Sequence, residues 1–277
     1  MSERVKAALL SALILGIALL VWHIATLPKA ASTQTVDIEY ARLMGLDKPK
    51  TEGMPTLSQL GATIWKQLSN PFYDAGPNDK GIGIQLAYSL GRVGLGFTLA
   101  ALLAIPLGFA IGMSPLIHRA LNPFIQVLKP ISPLAWMPLA LYTIKDSATS
   151  SIFVIFICSV WPMLINTAHG VASVRREWLN VARTLEVGTM RTCFQVILPA
   201  AAPVILTGMR ISMGIAWLVI VAAEMLVGNL GVGYFVWNEW NNLSLPHVIF
   251  AILVIGVVGM ILDLLFGLAQ RAVTYVE

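Results

Sequence analysis

Residues 180–203 read NVARTLEVGTMRTCFQVILPAAAP. Charged residues, a glycine and two prolines stand here between two of the most apolar stretches of the chain. A polar segment this long fits beside such runs only if it stands in water at the edge of something that is not water.

Composition identifies the other side of that edge. The 277-residue chain is 57% hydrophobic and 12% charged, with a mean hydropathy of +0.78. A soluble domain carries about a quarter charged residues, because its surface must be wetted. This chain has too few charges to cover a water-facing surface, which excludes a soluble protein with a large core. It reads as an all-α integral membrane protein. Cys158 lies in an apolar run and Cys193 in the polar segment, so a disulfide between them is not expected. Neither cysteine has metal-ligand spacing, and His23, His118, His169 and His247 are scattered. The net charge of +4 comes from basic residues spread over several loops. No basic stripe interleaved with aromatics points to a nucleic-acid partner.

A hydrocarbon core about 30 Å thick takes roughly 20 apolar residues of helix. Six runs qualify: 7–27, 86–113, 123–144, 151–168, 199–227 and 247–269. The third contains Pro130, Pro133 and Pro138, each without a backbone donor, so a kinked or broken helix is expected there. The first is read as a span. A cleaved leader is the alternative, with a basic start and KAAS after the apolar run. A cytoplasmic N-terminus puts Arg4, Lys6, Arg119, Arg175, Arg176, Arg183, Arg191 and Arg271 inside, and leaves only Lys145 in the two short outer connections. Basic residues favour the inner side, so both termini are expected in the cytoplasm. Residues 28–85 then face out. Their TLSQLGATIWKQL repeats Leu57, Leu60, Ile64, Trp65 and Leu68 at helical spacing, and NPFYDAGPNDKGIG is dense in turn formers. The organisation expected is an N-terminal helix with an external amphipathic segment over 1–85, and a transmembrane core over 86–277.

With this topology residues 170–198 are the largest cytoplasmic loop. Trp178, Val181, Ala182 and Leu185 share one helical face, while Arg176 and Arg183 lie one heptad apart on another. Gly188 suits a helix C-terminus in the left-handed conformation. Met190, Phe194 and Ile197 form a second amphipathic turn before Pro199. Two readings remain open from these residues: a helix resting on lipid headgroups, or one docking into a partner.

The segment resembles the EAA loop of ABC importer permeases, whose coupling helix sits in a groove of the ATPase subunit. Ala182 matches the second alanine of that motif, and Val196, Leu198 and Pro199 match its end. Asn180 stands where glutamate is usual, Val181 where alanine is, and Glu186 where glycine is, with Gly188 two residues late. SLGRVGLGFTLAALLAIPLGFAIG and ISPLAWMPLALYTI are similar to the second and third spans of the sulfonate, taurine, nitrate and bicarbonate permease group. The long outer segment most resembles the cyanobacterial nitrate and bicarbonate permeases.

The resemblance implies a type I ABC importer (MetI-like) permease fold in a bacterial inner membrane. It implies a nitrate/nitrite importer, with bicarbonate and then sulfonate or taurine as alternatives. Implied partners are a second permease copy, two cytoplasmic ATPase subunits and an external solute-binding protein, with lipid around the spans. No G-x-x-x-x-G-K-[ST] loop occurs in the sequence, so ATP and magnesium fall to the partners and this chain is not expected to be an enzyme. The coupling set is Trp178, Asn180, Val181, Ala182, Arg183, Leu185, Glu186 and Gly188. In it Trp178, Val181 and Leu185 fill the groove and Arg183 meets acids at the rim.

Ionisable residues inside spans mark a pathway or a paired structural group. Arg92, Lys129, Arg210, Glu224 and Asp263 qualify. Arg210 either attracts the anion or pairs with Asp263. Glu224 would repel an anion, and Arg92 at similar depth is its expected partner. Trp136 and Met137 either line the pathway or pack in the core. Gly108-x-x-x-Gly112 and Gly208-x-x-x-Ser212 allow close helix approach, within one subunit or between two. A membrane enzyme would need paired histidines, paired carboxylates or a nucleophile elbow, and none is present. A channel would rest on GNLGVGYFVWNEWNN as a re-entrant filter, and would conduct without ATP.

Overall fold

The computed structural model describes residues 3–26, 54–77 and 79–273. The first part of the expected outer segment, through residue 53, lies outside the described residues. Those residues form helices, turns and one isolated bridge, Asp74 with Lys80. The helices are α1 (Glu3–Ala25), α2 (Leu57–Ser69), α3 (Ile82–Met113), α4 (Pro115–Leu128), α5 (Pro133–Ile144), α6 (Ser147–Ala172), α7 (Arg176–Thr184), α8 (Thr189–Thr192), α9 (Leu198–Val227), α10 (Val232–Asn241) and α11 (Leu245–Val273). A π-helical segment, Cys193–Ile197, joins α8 to α9. Five stretches are long and apolar enough to cross a membrane, and the bent pair α4–α5 makes a sixth if counted as one span.

The chain divides into two compact units, Met1–Asn70 with Glu239–Phe250, and Pro71–Asn238 with Ala251–Glu277. In the first, the Trp22 indole of α1 donates to the Pro55 carbonyl at 3.0 Å. Thr56 and Gln59 then start α2 with a reciprocal capping box, each side chain accepting from the other's backbone N–H.

The second unit opens with the turn-rich segment, which folds back on itself. Gly81 N–H donates to Tyr73 O at 2.8 Å, and Gly83 N–H to Pro71 O at 2.8 Å. A side chain at Gly81 would run into the Pro71 carbonyl. The core of this unit is a three-helix contact. Val93, Phe97, Ala100 and Ala104 of α3 meet Val154, Ile155, Met163 and Leu164 of α6, and Met213, Ala216, Trp217 and Ile220 of α9. Small residues permit the approach. A Cβ on Gly108 would sit 2.6 Å from Thr167 Cβ, and one on Gly112 2.6 Å from the Ala168 carbonyl. Ser212 of α9 donates to the Ser159 carbonyl of α6 at 2.7 Å. Both small-residue motifs therefore join helices of one chain.

The third span departs from expectation in its start, at Pro115 rather than near 123. The break expected within it is a turn of 91° between α4 and α5. Pro115 occupies the first turn of α4, where a missing N–H costs nothing, and Ser114 caps it. The break falls where Pro130 and Pro133 remove successive donors, with Pro133 opening α5. Asp146 caps α6 by accepting from Thr149 N–H at 2.7 Å. Hydrogen bonding from the Thr149 side chain, and then from its backbone N–H, holds the Asp146 carboxyl below the usual aspartate range.

Candidate functional site

The segment expected to couple to an ATPase follows α6 directly. In α7 the side chains sort by what they touch. Ala182 is 5% exposed and Leu179 half-buried, both packed towards the body of the unit. Trp178 (43%), Val181 (58%) and Leu185 (69%) stand out on the adjoining face. Ala182 thus belongs to the inward edge of the face it was expected to share, because its small side chain fits where α7 lies closest to the unit. Asn180 and Glu186 are exposed. Arg175 lies over the Trp178 ring, 5.6 Å from its centroid, a cation–π contact.

Arg176 and Arg183 line a cleft of about 350 Å³ between α7 and the end of α3, with Met113 and Val171 among its walls. Arg183 therefore stands at the side of α7 that faces the membrane unit.

The end of α7 corrects the reading of Gly188. Val187 N–H donates to Ala182 O at 3.0 Å and Glu186 N–H to Arg183 O at 3.0 Å. This is a Schellman closure, and its left-handed residue is Glu186, with φ +52. Gly188 has an extended backbone (φ −60, ψ 149) and precedes α8. Glu186 thus adopts, with a side chain, the conformation that glycine adopts without strain. The π segment after α8 has its own cause. Leu198 N–H reaches back to Cys193 O, and Pro199, which has no N–H, follows at once.

At the opposite end of α9 lies a buried polar cluster. Arg92 Nη1 donates to Glu224 Oε1 at 2.7 Å and to the Leu230 carbonyl at 2.6 Å. Ser89 Oγ donates to the same carboxylate at 2.8 Å and accepts from Val232 N–H at 2.9 Å. Gly233 N–H reaches Glu224 Oε2 at 3.1 Å. A Cβ on Gly231 would overlap the Glu224 carboxyl. Glu224 is fully buried, and its charge is met by a guanidinium, a hydroxyl and a backbone donor. This is the condition under which a carboxylate can be buried at all. Arg92 and Glu224 are therefore a paired structural group that ties α3, α9 and the start of α10 together.

Arg210 is likewise engaged. Its Nε and Nη2 take the two oxygens of Asp263 at 2.6 and 2.5 Å, a bidentate pair between α9 and α11. Met137 is buried in the core at the α5–α6 contact, and Trp136 packs partly buried against the same cluster. Among the described residues no three His, Cys, Asp or Glu side chains gather as metal ligands. Sequence reading did not single out the histidines His118 and His169. They fall, with Lys129, in one cleft beside α4.

Residues 97–275 match the family described as binding-protein-dependent transport system inner membrane component. The chain is 42% identical over 224 residues to the nitrate import permease protein NrtB of Synechocystis sp., covering 81% of this chain and 82% of that protein. It is 43% identical over 197 residues to the bicarbonate transport system permease protein CmpB of the same organism, covering 71% of this chain and 70% of that one. Among solved structures, an inward-facing form of the MetNI methionine ABC transporter superposes with TM-score 0.62 at 13% identity, over 70% of this chain and 96% of that one. An amino acid ABC transporter with histidines does so with TM-score 0.61 at 16% identity, over 79% and 100%. At those identities the structural likeness speaks for the fold, the MetI-like arrangement of type I ABC importers. The chain belongs to the inner-membrane permease components of binding-protein-dependent ABC transporters, a multi-pass protein of the importer class.

Proposed function

We propose that two copies of this chain form the membrane pathway of an ATP-driven importer of nitrate and nitrite. Two cytoplasmic subunits hydrolyse ATP, and an external binding protein delivers the anion. Both termini face the cytoplasm, which places α7 on the ATPase side. The observation that carries the coupling role is the sorting of side chains on α7. Leu179 and Ala182 anchor it to the unit, and Trp178, Val181 and Leu185 remain free to fill a groove. Apolar anchors of this kind dominate the energy of an interface.

Nitrate is favoured over bicarbonate by the extent of similarity, which runs further along the chain for the nitrate permease. Uptake of labelled nitrate and labelled bicarbonate by a strain deleted for this gene, with and without the gene restored, tests the reading. Restored nitrate uptake that requires ATP supports it. Restored bicarbonate uptake alone transfers the assignment to the second anion, and uptake independent of ATP overturns the importer.

A further inference from the structure

Helix α4 packs Leu121 and Ile125 against the core and carries its remaining apolar and polar side chains on separate sides. Leu116, Phe124 and Val127 are exposed on one side. On the other, His118, Asn122, Gln126 and Lys129 follow one another at helical spacing and face a cleft of about 660 Å³. His169 of α6 enters the same cleft, whose floor is Ile111, Leu164 and Ala168. No acidic residue is among its lining residues. The cleft adjoins the coupling segment, sharing Gly112 and Ala172 with the smaller cleft that Arg176 and Arg183 line. Polar and charged side chains of a membrane protein face a water-filled space or a partner, and here they converge on one space.

We propose that this cleft is a binding station for small inorganic oxyanions, with Lys129 as its fixed charge and His118, Asn122, Gln126 and His169 as hydrogen-bonding partners. The proposal rests on the transporter reading and adds to it the place where the anion pauses beside the coupling helix. The composition of the lining argues for an anion and against a cation. The single formally charged side chain in the lining, Lys129, is positive, and both amides and both imidazoles can offer an N–H. The volume argues for a station rather than a tight pocket. An ion a few ångströms across keeps part of its water there, and a pathway needs binding weak enough to release what it admits.

Charged thiol reagents read this field directly. With Cys158→Ser and Cys193→Ser removing the native thiols, Gln126→Cys places one reporter in the cleft of the full chain, assembled with its partners. With each rate taken relative to that reagent's rate with a free thiol, an anionic methanethiosulfonate should modify it about fivefold or more faster than the cationic trimethylammonium analogue. Lys129→Gln should abolish that preference, Lys129→Arg should keep it, and millimolar nitrate should slow modification. Equal or faster reaction with the cation overturns the proposal. So does a cysteine that neither reagent reaches, as a second copy filling the cleft would produce. Anion preference in a protein that imports no nitrate leaves the site standing and removes the importer reading. Nitrate uptake unchanged by Lys129→Gln removes the station while leaving the importer.

Discussion

Arg92 and Glu224, 132 residues apart in sequence, meet at 2.7 Å inside the transmembrane core. The carboxylate of α9 accepts from α3 and from the start of α10 at once, so neither side chain can be removed without stranding the other. Either Arg92→Met or Glu224→Met alone is expected to cost about 3–5 kcal/mol, the penalty for an uncompensated buried charge. The double variant should cost less than the sum of the two, by at least about 1 kcal/mol. Thermal melting of the detergent-solubilised protein measures this, and additive losses would show that the two groups are not coupled.

Glu186 holds φ +52 at the close of α7. A left-handed conformation costs a residue with a Cβ about 1–2 kcal/mol, and glycine escapes that cost. Glu186→Gly is therefore expected to stabilise the loop by about 1 kcal/mol. Gly188→Ala, at an extended position with open space around it, should be close to neutral. A fall in melting temperature for Glu186→Gly would mean that its side chain makes a compensating contact.

These two sites show what could be read in advance. The depth of Arg92 and Glu224 in their apolar runs was enough to expect the pair, because lipid leaves a buried charge few other options. The sequence points to Gly188 for the turn after α7, because glycine is the residue most at ease there. The Schellman hydrogen bonds close α7 with Glu186, not Gly188, in the left-handed position. The spans themselves were legible as apolar runs. The start of the third was not, since Pro115 reads as a breaker although the first turn of a helix accepts it. A helix starting at Pro123 would hold Gln126 and Lys129 but not His118 and Asn122, so the common stripe exists only because α4 begins at Pro115.

Gly108 and Gly112 bring α3 against α6 with no room for a side chain. Gly112→Ala would push a methyl into the Ala168 carbonyl, which belongs to a helix backbone and cannot turn aside. A loss of about 1–3 kcal/mol is expected from such overpacking. Gly214→Ala, with nothing within 4 Å in the same chain, is the matched comparison. If both variants melt alike, α3 and α6 are less closely fitted than their geometry indicates.

Leu185 is the most exposed of the three apolar side chains on the outer face of α7, at 69%. Leu185→Asp therefore disturbs nothing inside the unit, and the chain should insert and melt as the parent does. In a complex, the same change would place a charge in the groove where an apolar anchor is needed, a loss of about 2 kcal/mol or more at that contact. The expected result is normal membrane abundance with anion uptake abolished and ATPase subunits lost on purification. Ala182→Asp should instead lower abundance, because that side chain is buried against the unit. Full transport by Leu185→Asp would remove α7 as the coupling element, and with it the account of how ATP hydrolysis reaches the membrane.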